Sequence, residues 1–307
     1  MTEPKPHDVI VVGASFAGQS AAMMLARARR RVLVIDAGLP RNRFADAAHG
    51  FLGQDGRPPA EIMREARRQL EAYPTVEWLT GEAVGASGDL NRFTLRTADG
   101  RQHLARRLVL AVGVRDTLPD IPGLRERWGA TVLHCPYCHG YEVRDRPIGV
   151  LAGHAASAHQ AAMLPDWGPT TYFGQGQFEP DNHQRALLAA RDVAIEQTPI
   201  VELLGVAPAL EAVRLADGRV LPLGGLFVAP RTQVASPLAQ QLGCAFEDGM
   251  TGPFLRVDDF KATTIPGVYA PGDASRQMHN ATLAAADGVL AALGTHQSLI
   301  LDAPEAA

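Results

Sequence analysis

The run Val9-Ile10-Val11-Val12-Gly13-Ala14-Ser15-Phe16-Ala17-Gly18 constrains this chain more than any other stretch. An apolar, β-branched strand passes through a tight turn into Gln19 to Ala28, which is rich in Ala, Met and Leu as a helix should be. Val32-Leu33-Val34-Ile35 supplies a second buried strand, closed by Asp36-Ala37-Gly38. Strand, helix and strand in this order predict a parallel sheet with helices on its faces. The turn differs from the Gly-x-Gly-x-x-Gly dinucleotide fingerprint only at Ser15, whose small side chain stands where a glycine lets phosphate approach the backbone. Gly13 permits the tight turn and Gly18 lets helix and strand pack closely. The amides at the helix start, through Ser15, Phe16 and Ala17, are placed to hold a pyrophosphate. Asp36 ends the second strand, 18 residues beyond Gly18. An acid there binds ribose hydroxyls and disfavours a 2′-phosphate, so FAD or NAD fits better than NADP.

The rest of the chain repeats this theme. A length of 307 residues accommodates two domains of about 150. Pro40 to Pro59 is loop-rich, and Ala60 to Tyr73 reads as a charged helix. Phe93 to Thr97 and Gln102 to Arg106 flank Asp99-Gly100 as a hairpin, and Leu108 to Gly113 is another buried strand. The segment Leu118 to Gly123 looks like a domain crossing. A second strand–helix unit starts at Ile148-Gly149-Val150-Leu151, with Leu226 to Ala229 as its late strand. Val268-Tyr269-Ala270 then leads to Gly272-Asp273, and Thr282 to Leu293 reads as the final helix. The expected fold is α/β: two nucleotide-binding, Rossmann-like three-layer domains, the second inserted in the first.

Net charge is only −4, which gives no electrostatic reason to expect nucleic acid or an anionic membrane as partner. The basic residues from Arg27 to Arg31 read as cations at the C-terminal end of the first helix. Met1 to His7 is short and polar, without the apolar core of a signal peptide. No stretch reaches the ~18 apolar residues of a membrane span, so a cytoplasmic location is the default.

Three cysteines are present, two of them in Cys135-Pro136-Tyr137-Cys138-His139. A Cys-x-x-Cys pair can open and close as a short-loop disulfide, and a helix start there would activate its thiolates. Zinc is a rival reading, but it usually takes four Cys or His ligands in two separated pairs, and the third cysteine, Cys244, stands alone. Cys-x-x-Cys-His is also the attachment pattern of c-type haem, although the surrounding pattern already implies another cofactor. Buried structural cysteines are a third possibility. Redox thiols suit the setting best, with no metal expected, and Cys244 reads as a packing thiol without a role.

The stretch Thr264-Ile265-Pro266-Gly267-Val268-Tyr269-Ala270-Pro271-Gly272-Asp273 resembles the second FAD motif of two-dinucleotide flavoproteins. That resemblance implies that Gly272 and Asp273 hold the ribityl or phosphate part of FAD. It also implies a helix, starting near His279-Asn280-Ala281, with its N-terminus aimed at the isoalloxazine. Taken in order, the FAD turn, the central Cys-x-x-Cys, a second nucleotide-type domain and Gly-Asp resemble the low-molecular-weight thioredoxin reductases over nearly the whole chain. The resemblance implies an FAD-binding domain at 1–118 and 246–307, an inserted domain at 119–245, and a homodimer. It implies that Cys138 faces the flavin and Cys135 exchanges with substrate.

Two departures redirect that reading. Where the family has a Gly-x-Gly-x-x-Ala turn for NADPH, this chain has Ala152-Gly153-His154-Ala155-Ala156-Ser157, and His154 would crowd a pyrophosphate. The family's His-Arg-Arg cluster for the 2′-phosphate is replaced by Thr171 to Gln177, without one cation, so NADPH binding is not expected to survive. After the second cysteine stands His139 rather than Asp, followed by Gly140-Tyr141-Glu142. This run, with Met278-His279-Asn280-Ala281-Thr282, is more similar to the FAD-dependent dithiol oxidases of holomycin- or gliotoxin-type pathways. The expected function is therefore oxidation of a small dithiol to a disulfide through Cys135 and Cys138, with O2 as acceptor. His139, Glu142 and His279 are the acid–base candidates. The alternative is a reductase of a thioredoxin-like protein disulfide that draws on NAD(P)H or another donor.

Overall fold

The computed structural model describes residues 6–302. It divides into two compact units, Met1–Arg43 with Ala60–Arg115 and Thr232–Ala307, and Phe44–Pro59 with Asp116–Arg231.

The first unit is built on a seven-stranded sheet. Its order is Val76–Thr80, Val32–Asp36, His7–Val12, Gln102–Leu110, Arg92–Thr97, Ala83–Asp89, with Val268–Tyr269 also paired to Gln102–Leu110. His7–Val12 is parallel to both neighbours, with Val9 opposite Val32 on one side and Arg107 on the other. Gln102–Leu110 is long enough to serve two partners along one edge. Its first half pairs antiparallel with the hairpin strand, Phe93 opposite Ala105, and its second half pairs parallel with Val268. Residues of the central strand alternate between two cores, as a strand covered on both faces must. Val9 and Val11 pack with Ala21, Leu25, Ala291 and Leu299 of the Phe16–Arg27 and Ala281–Leu301 helices. Ile10 and Val12 pack with Leu33, Ile35, Phe93 and Leu108 on the other side. The two helices touch through small residues: a Cβ on Gly288 would lie 2.1 Å from the Ala17 carbonyl oxygen.

The second unit carries a parallel sheet ordered Ala194–Glu196, Thr170–Phe173, Ile148–Leu151, Gly225–Val228, Val132–Leu133. The helices Ser157–Met163 and Asn182–Ala190 follow its strands, and a three-stranded antiparallel sheet, Ile200–Leu204, Ala212–Leu215 and Val220–Pro222, completes it. Strand order reverses at Ile148–Leu151. The strands that follow lie on opposite sides of it, the arrangement that opens a crevice at the carboxyl ends.

Three features depart from the sequence reading. The final helix runs from Ala281 to Leu301, past the expected end at Leu293. Gly294 does not stop it, because it serves close packing: a Cβ there would meet Phe260 Cβ at 2.9 Å and Tyr269 Cε1 at 3.0 Å. The return from the second unit to the first falls at Arg231 and Thr232 rather than at residue 245. Finally, the loop-rich segment Phe44–Pro59 belongs to the second unit, although the chain on both sides of it belongs to the first.

Candidate active site

The turn of the first unit has the shape its glycines foretell. Gly13 has φ +90°, and a Cβ on it would lie 2.4 Å from the Ala111 oxygen. A Cβ on Gly18 would lie 1.8 Å from the Gly13 oxygen. Ser15 is the N-cap of the Phe16–Arg27 helix, and its hydroxyl makes no capping bond. Asp36 Oδ1 accepts from the Ala14 amide at 3.0 Å, which ties the terminal acid of the second strand to the turn. Gly272, at φ +81°, approaches the same helix, where a Cβ would come 2.9 Å from Ala17 Cβ. Asp273 pairs with Arg41 at 3.1 Å, a cation that lies outside the sequence motifs. Asn280 Oδ1 caps the final helix, accepting from Thr282 and Leu283 amides at 2.9 and 3.3 Å, and Ala281 is that helix's first residue. His279 Nε2 lies 3.1 Å from the Arg276 carbonyl oxygen. This cradle fits a dinucleotide of the FAD type: the glycines let strand, turn and helix close tightly, the chain turns into a helix start there, and Asp36 ends the adjoining strand.

A buried charge cluster underlies it. Asp287 of the final helix is wholly buried, accepts from Arg276 Nη2 at 2.7 Å and from Arg276 Nε, and lies 3.2 Å from Lys261 Nζ. It also receives the Gly272 amide at 3.4 Å. Burial opposes ionisation of Asp287, but the bonds from Arg276 and Lys261 outweigh it and hold the carboxyl below its ordinary range.

The corresponding turn of the second unit is occupied by its own side chains. Ser157 Oγ accepts from the amides of Gly153 and His154 at 3.2 and 3.3 Å, and His154 Nδ1 accepts from the Ala156 amide at 3.2 Å. Burial pushes the His154 imidazole below its ordinary pKa, which suits an acceptor nitrogen. The amides of Gly153, His154 and Ala156 are thus engaged within the turn itself.

The cysteines lie at the same end of the second unit's sheet. Leu133 ends the strand beside Gly225–Val228, and Cys135 follows two residues later. Cys135 and Cys138 form a disulfide with Cα atoms 5.3 Å apart. Cys135 caps the four-residue helix Pro136–His139, and its sulfur accepts from the Cys138 amide at 3.2 Å. So short a helix sums few peptide dipoles, and this local N–H is what favours negative charge on the Cys135 sulfur. Pro136 presets the turn, and Gly140 closes it beneath Trp167, whose ring atoms would be 2.9 Å from a Cβ there. Tyr137 is 76% exposed and meets Trp167 edge-on, at 5.8 Å between centroids. The base of the turn is held by Gln160 of the Ser157–Met163 helix, whose Nε2 donates to the His134 carbonyl at 2.8 Å.

Of the predicted acid–base groups, the second unit unites His139 and Glu142 near the disulfide, whereas His279 belongs to the first unit. Burial pushes the His139 imidazole down, Glu142 pulls it up and His49 pushes it down, so that it ends below its ordinary pKa. His49, in the Phe44–Pro59 segment, was missed from sequence: its ring meets that of His139 at 6.4 Å, and its Nε2 lies 3.5 Å from Glu142 Oε1. No local signal separates it from other loop histidines. Cys244 is buried against Thr263 Oγ1 at 3.5 Å, and burial raises its pKa, the setting of an inert thiol. Among the described residues no helix is long and apolar enough to cross a membrane, and no group of His, Cys, Asp and Glu is assembled to hold a metal.

Comparison with known proteins bears out the expected resemblance to thioredoxin reductase-like flavoproteins and the two-domain Rossmann-type α/β fold. A curated relative, thioredoxin reductase tcpT of Claviceps purpurea, is 30% identical over 306 residues, covering 96% of this chain and 95% of its own. Among solved structures, an oxidoreductase from Agrobacterium tumefaciens is 49% identical with a TM-score of 0.93, covering 98% of this chain and 100% of its own. HlmI is 36% identical with a TM-score of 0.90, covering 98% of this chain and 94% of its own. Residues 7–288 match the family described as pyridine nucleotide-disulphide oxidoreductase, which implies a flavin. The chain belongs to that family, and is a flavin-dependent thiol–disulfide oxidoreductase.

Proposed function

We propose that the enzyme is an FAD-dependent dithiol oxidase that forms a disulfide in a small dithiol, with O2 as electron acceptor. The observation that carries this direction is the self-filled turn Gly153–Ser157 together with the cation-free stretch Thr171 to Gln177. A nicotinamide donor would meet engaged turn amides and no cation for a 2′-phosphate, which supports thiols as the electron source. Gly13, Ser15, Phe16, Ala17, Gly18 and Asp36 would hold the dinucleotide, with Gly272, Asp273, His279, Asn280 and Ala281 around the flavin. When bound, FAD supplies the two-electron oxidation that re-forms the Cys135–Cys138 disulfide and passes those electrons to O2, giving hydrogen peroxide.

In the protein's half of the cycle, a substrate thiolate attacks Cys135 Sγ, forming a mixed disulfide and breaking the bond to Cys138, which leaves as thiolate. The second substrate thiol then attacks the substrate sulfur of that mixed disulfide. The cyclic or bridged disulfide leaves, and Cys135 departs as thiolate. Two protons come off the substrate thiols and two cysteine sulfurs become able to receive them. Neutral His139 is suited to accept one at a ring nitrogen and pass it on, with Glu142 beside it. Family likeness also suggests a homodimer, and the cytoplasm is the proposed location.

The second reading, a reductase acting on a thioredoxin-like protein with NAD(P)H, draws on the relative's name. Anaerobic bleaching of the flavin separates the two. A dithiol such as dithiothreitol is expected to bleach it and NADPH is not, with peroxide appearing on admission of air. Rapid bleaching by NADPH would overturn the oxidase direction. Cys138→Ser is expected to abolish oxidation of dithiols.

A further inference from the structure

The segment Phe44–Pro59 places a second histidine at the cysteine site. Its loop is braced internally: the Ala48 amide donates to the Arg57 carbonyl at 2.8 Å, the Gly56 amide to Ala48 at 2.9 Å, and the Gly50 amide to Asp55 Oδ1 at 2.9 Å. It is also seated on the second unit, since a Cβ on Gly129 would lie 2.7 Å from Phe44 Cβ. His49 projects from this frame with a carboxylate beside each ring nitrogen: Nδ1 is 3.6 Å from Asp55 Oδ1 and Nε2 is 3.5 Å from Glu142 Oε1. Its side chain is 24% exposed, against 71% for Asp55 and 38% for Glu142. His49 therefore faces both acids at once, one anchored in the loop and one in the turn after the cysteines.

We propose that His49 is a positioning residue: braced by Asp55, it holds the Glu142 carboxylate beside His139 and so sets the pH range in which His139 exchanges protons with the cysteine sulfurs. This rests on the reading of His139 as the base of the thiol exchange. The charged and titratable groups that act on His139 are Glu142 from its own segment and His49 from the loop, with Asp55 beside His49. Arg144 stacks on Tyr141, 3.9 Å from the ring centroid. Glu142 and His49 act on His139 in opposite senses, so an unheld Glu142 would leave only the repulsion. Distances of 3.5–3.6 Å are those of ion pairs rather than direct hydrogen bonds, which suits electrostatic holding better than proton transfer through His49 itself.

The test is the pH dependence of anaerobic flavin bleaching by dithiothreitol, followed in holoenzyme as wild type, Glu142→Gln, His49→Gln and the double variant. This thiol half-reaction is independent of the terminal acceptor. If NADPH also bleaches the flavin, the oxidase direction fails while this test still reads. Glu142→Gln is expected to move the acidic limb down by about one pH unit, as loss of a nearby carboxylate should. In the His49→Gln background the same substitution should move it by less than half as much, the signature of coupled neighbours. Titration of the His139 ring by NMR in the oxidised holoenzyme gives the same comparison without turnover. Equal shifts in both backgrounds, by either method, would overturn the proposal.

Discussion

The two Rossmann turns of this chain start from the same strand–turn–helix plan and end in opposite states. In the first unit, the N-cap Ser15 makes no capping bond, and Gly13 and Gly18 leave no Cβ where the Ala111 and Gly13 carbonyl oxygens approach. In the second, Ser157 and His154 turn inward and take up the amides of Gly153, His154 and Ala156. The supports differ as well. The open cradle hangs on the buried Asp287–Arg276–Lys261 cluster, whereas the closed turn needs only a hydroxyl and a neutral imidazole. An anion site keeps its donors unspent and its charges paired nearby. A turn that spends its donors locally becomes scaffold, and here that scaffold carries Gln160, which supports the cysteine loop.

Three substitutions probe this contrast, and the largest effect is expected from Asp287→Asn. It leaves the partly buried Arg276 and Lys261 without their counter-charge, for which the loss of about 3–5 kcal/mol seen on breaking a fully buried pair is an upper figure. Denaturant unfolding of the apoprotein measures that loss. Because the folded-state pKa of Asp287 is depressed, its contribution is present above the unfolded carboxylate pKa of about 3.9 and is lost as pH falls through the lower folded value. Asp287→Asn should flatten the acid side of the stability curve, and an unchanged curve would remove the cluster from the explanation.

Next comes Gly18→Val. With a Cβ 1.8 Å from the Gly13 oxygen the turn must shift, at a cost of about 1–3 kcal/mol, or roughly tenfold to a hundredfold in FAD affinity. Flavin retained through gel filtration and titration of the apoprotein with FAD report it. Retention of full affinity would mean that FAD does not use this turn.

Ser157→Ala is the gentlest: loss of a local cap costs about 1 kcal/mol. Hydrogen exchange at the Gly153 and His154 amides should quicken, while flavin affinity stays as it was. His154 predicts the same loosening by acid. Its depressed folded pKa stabilises the turn above the unfolded histidine pKa of about 6.5, and that contribution fades as pH falls toward the folded value. Exchange rates unaltered by either change would mean that the turn is closed by something other than these side chains.

Much of this molecule is legible along the sequence because the deciding physics is local. Period-two burial of Val9 to Val12, the glycines of the first turn, Asp36 at a strand end and the Cys135–Cys138 spacing each depend on a few consecutive residues. The same holds for His154 in place of a glycine. Misjudged features depend on partners far away in the chain. Gly294 reads as a helix end until Phe260 and Tyr269 are seen to require it within the helix.

Composition and spacing by themselves determined two nucleotide-type units, a dinucleotide-type turn and a Cys-x-x-Cys pair able to close a short-loop disulfide, since backbone conformation and covalent reach fix those. Only the tertiary structure decided that Phe44–Pro59 packs with the second unit and sets His49 against Glu142. It alone decided that the second turn satisfies its own amides. Both outcomes come from groups brought together by packing between distant segments, and electrostatics acts through space rather than along the chain.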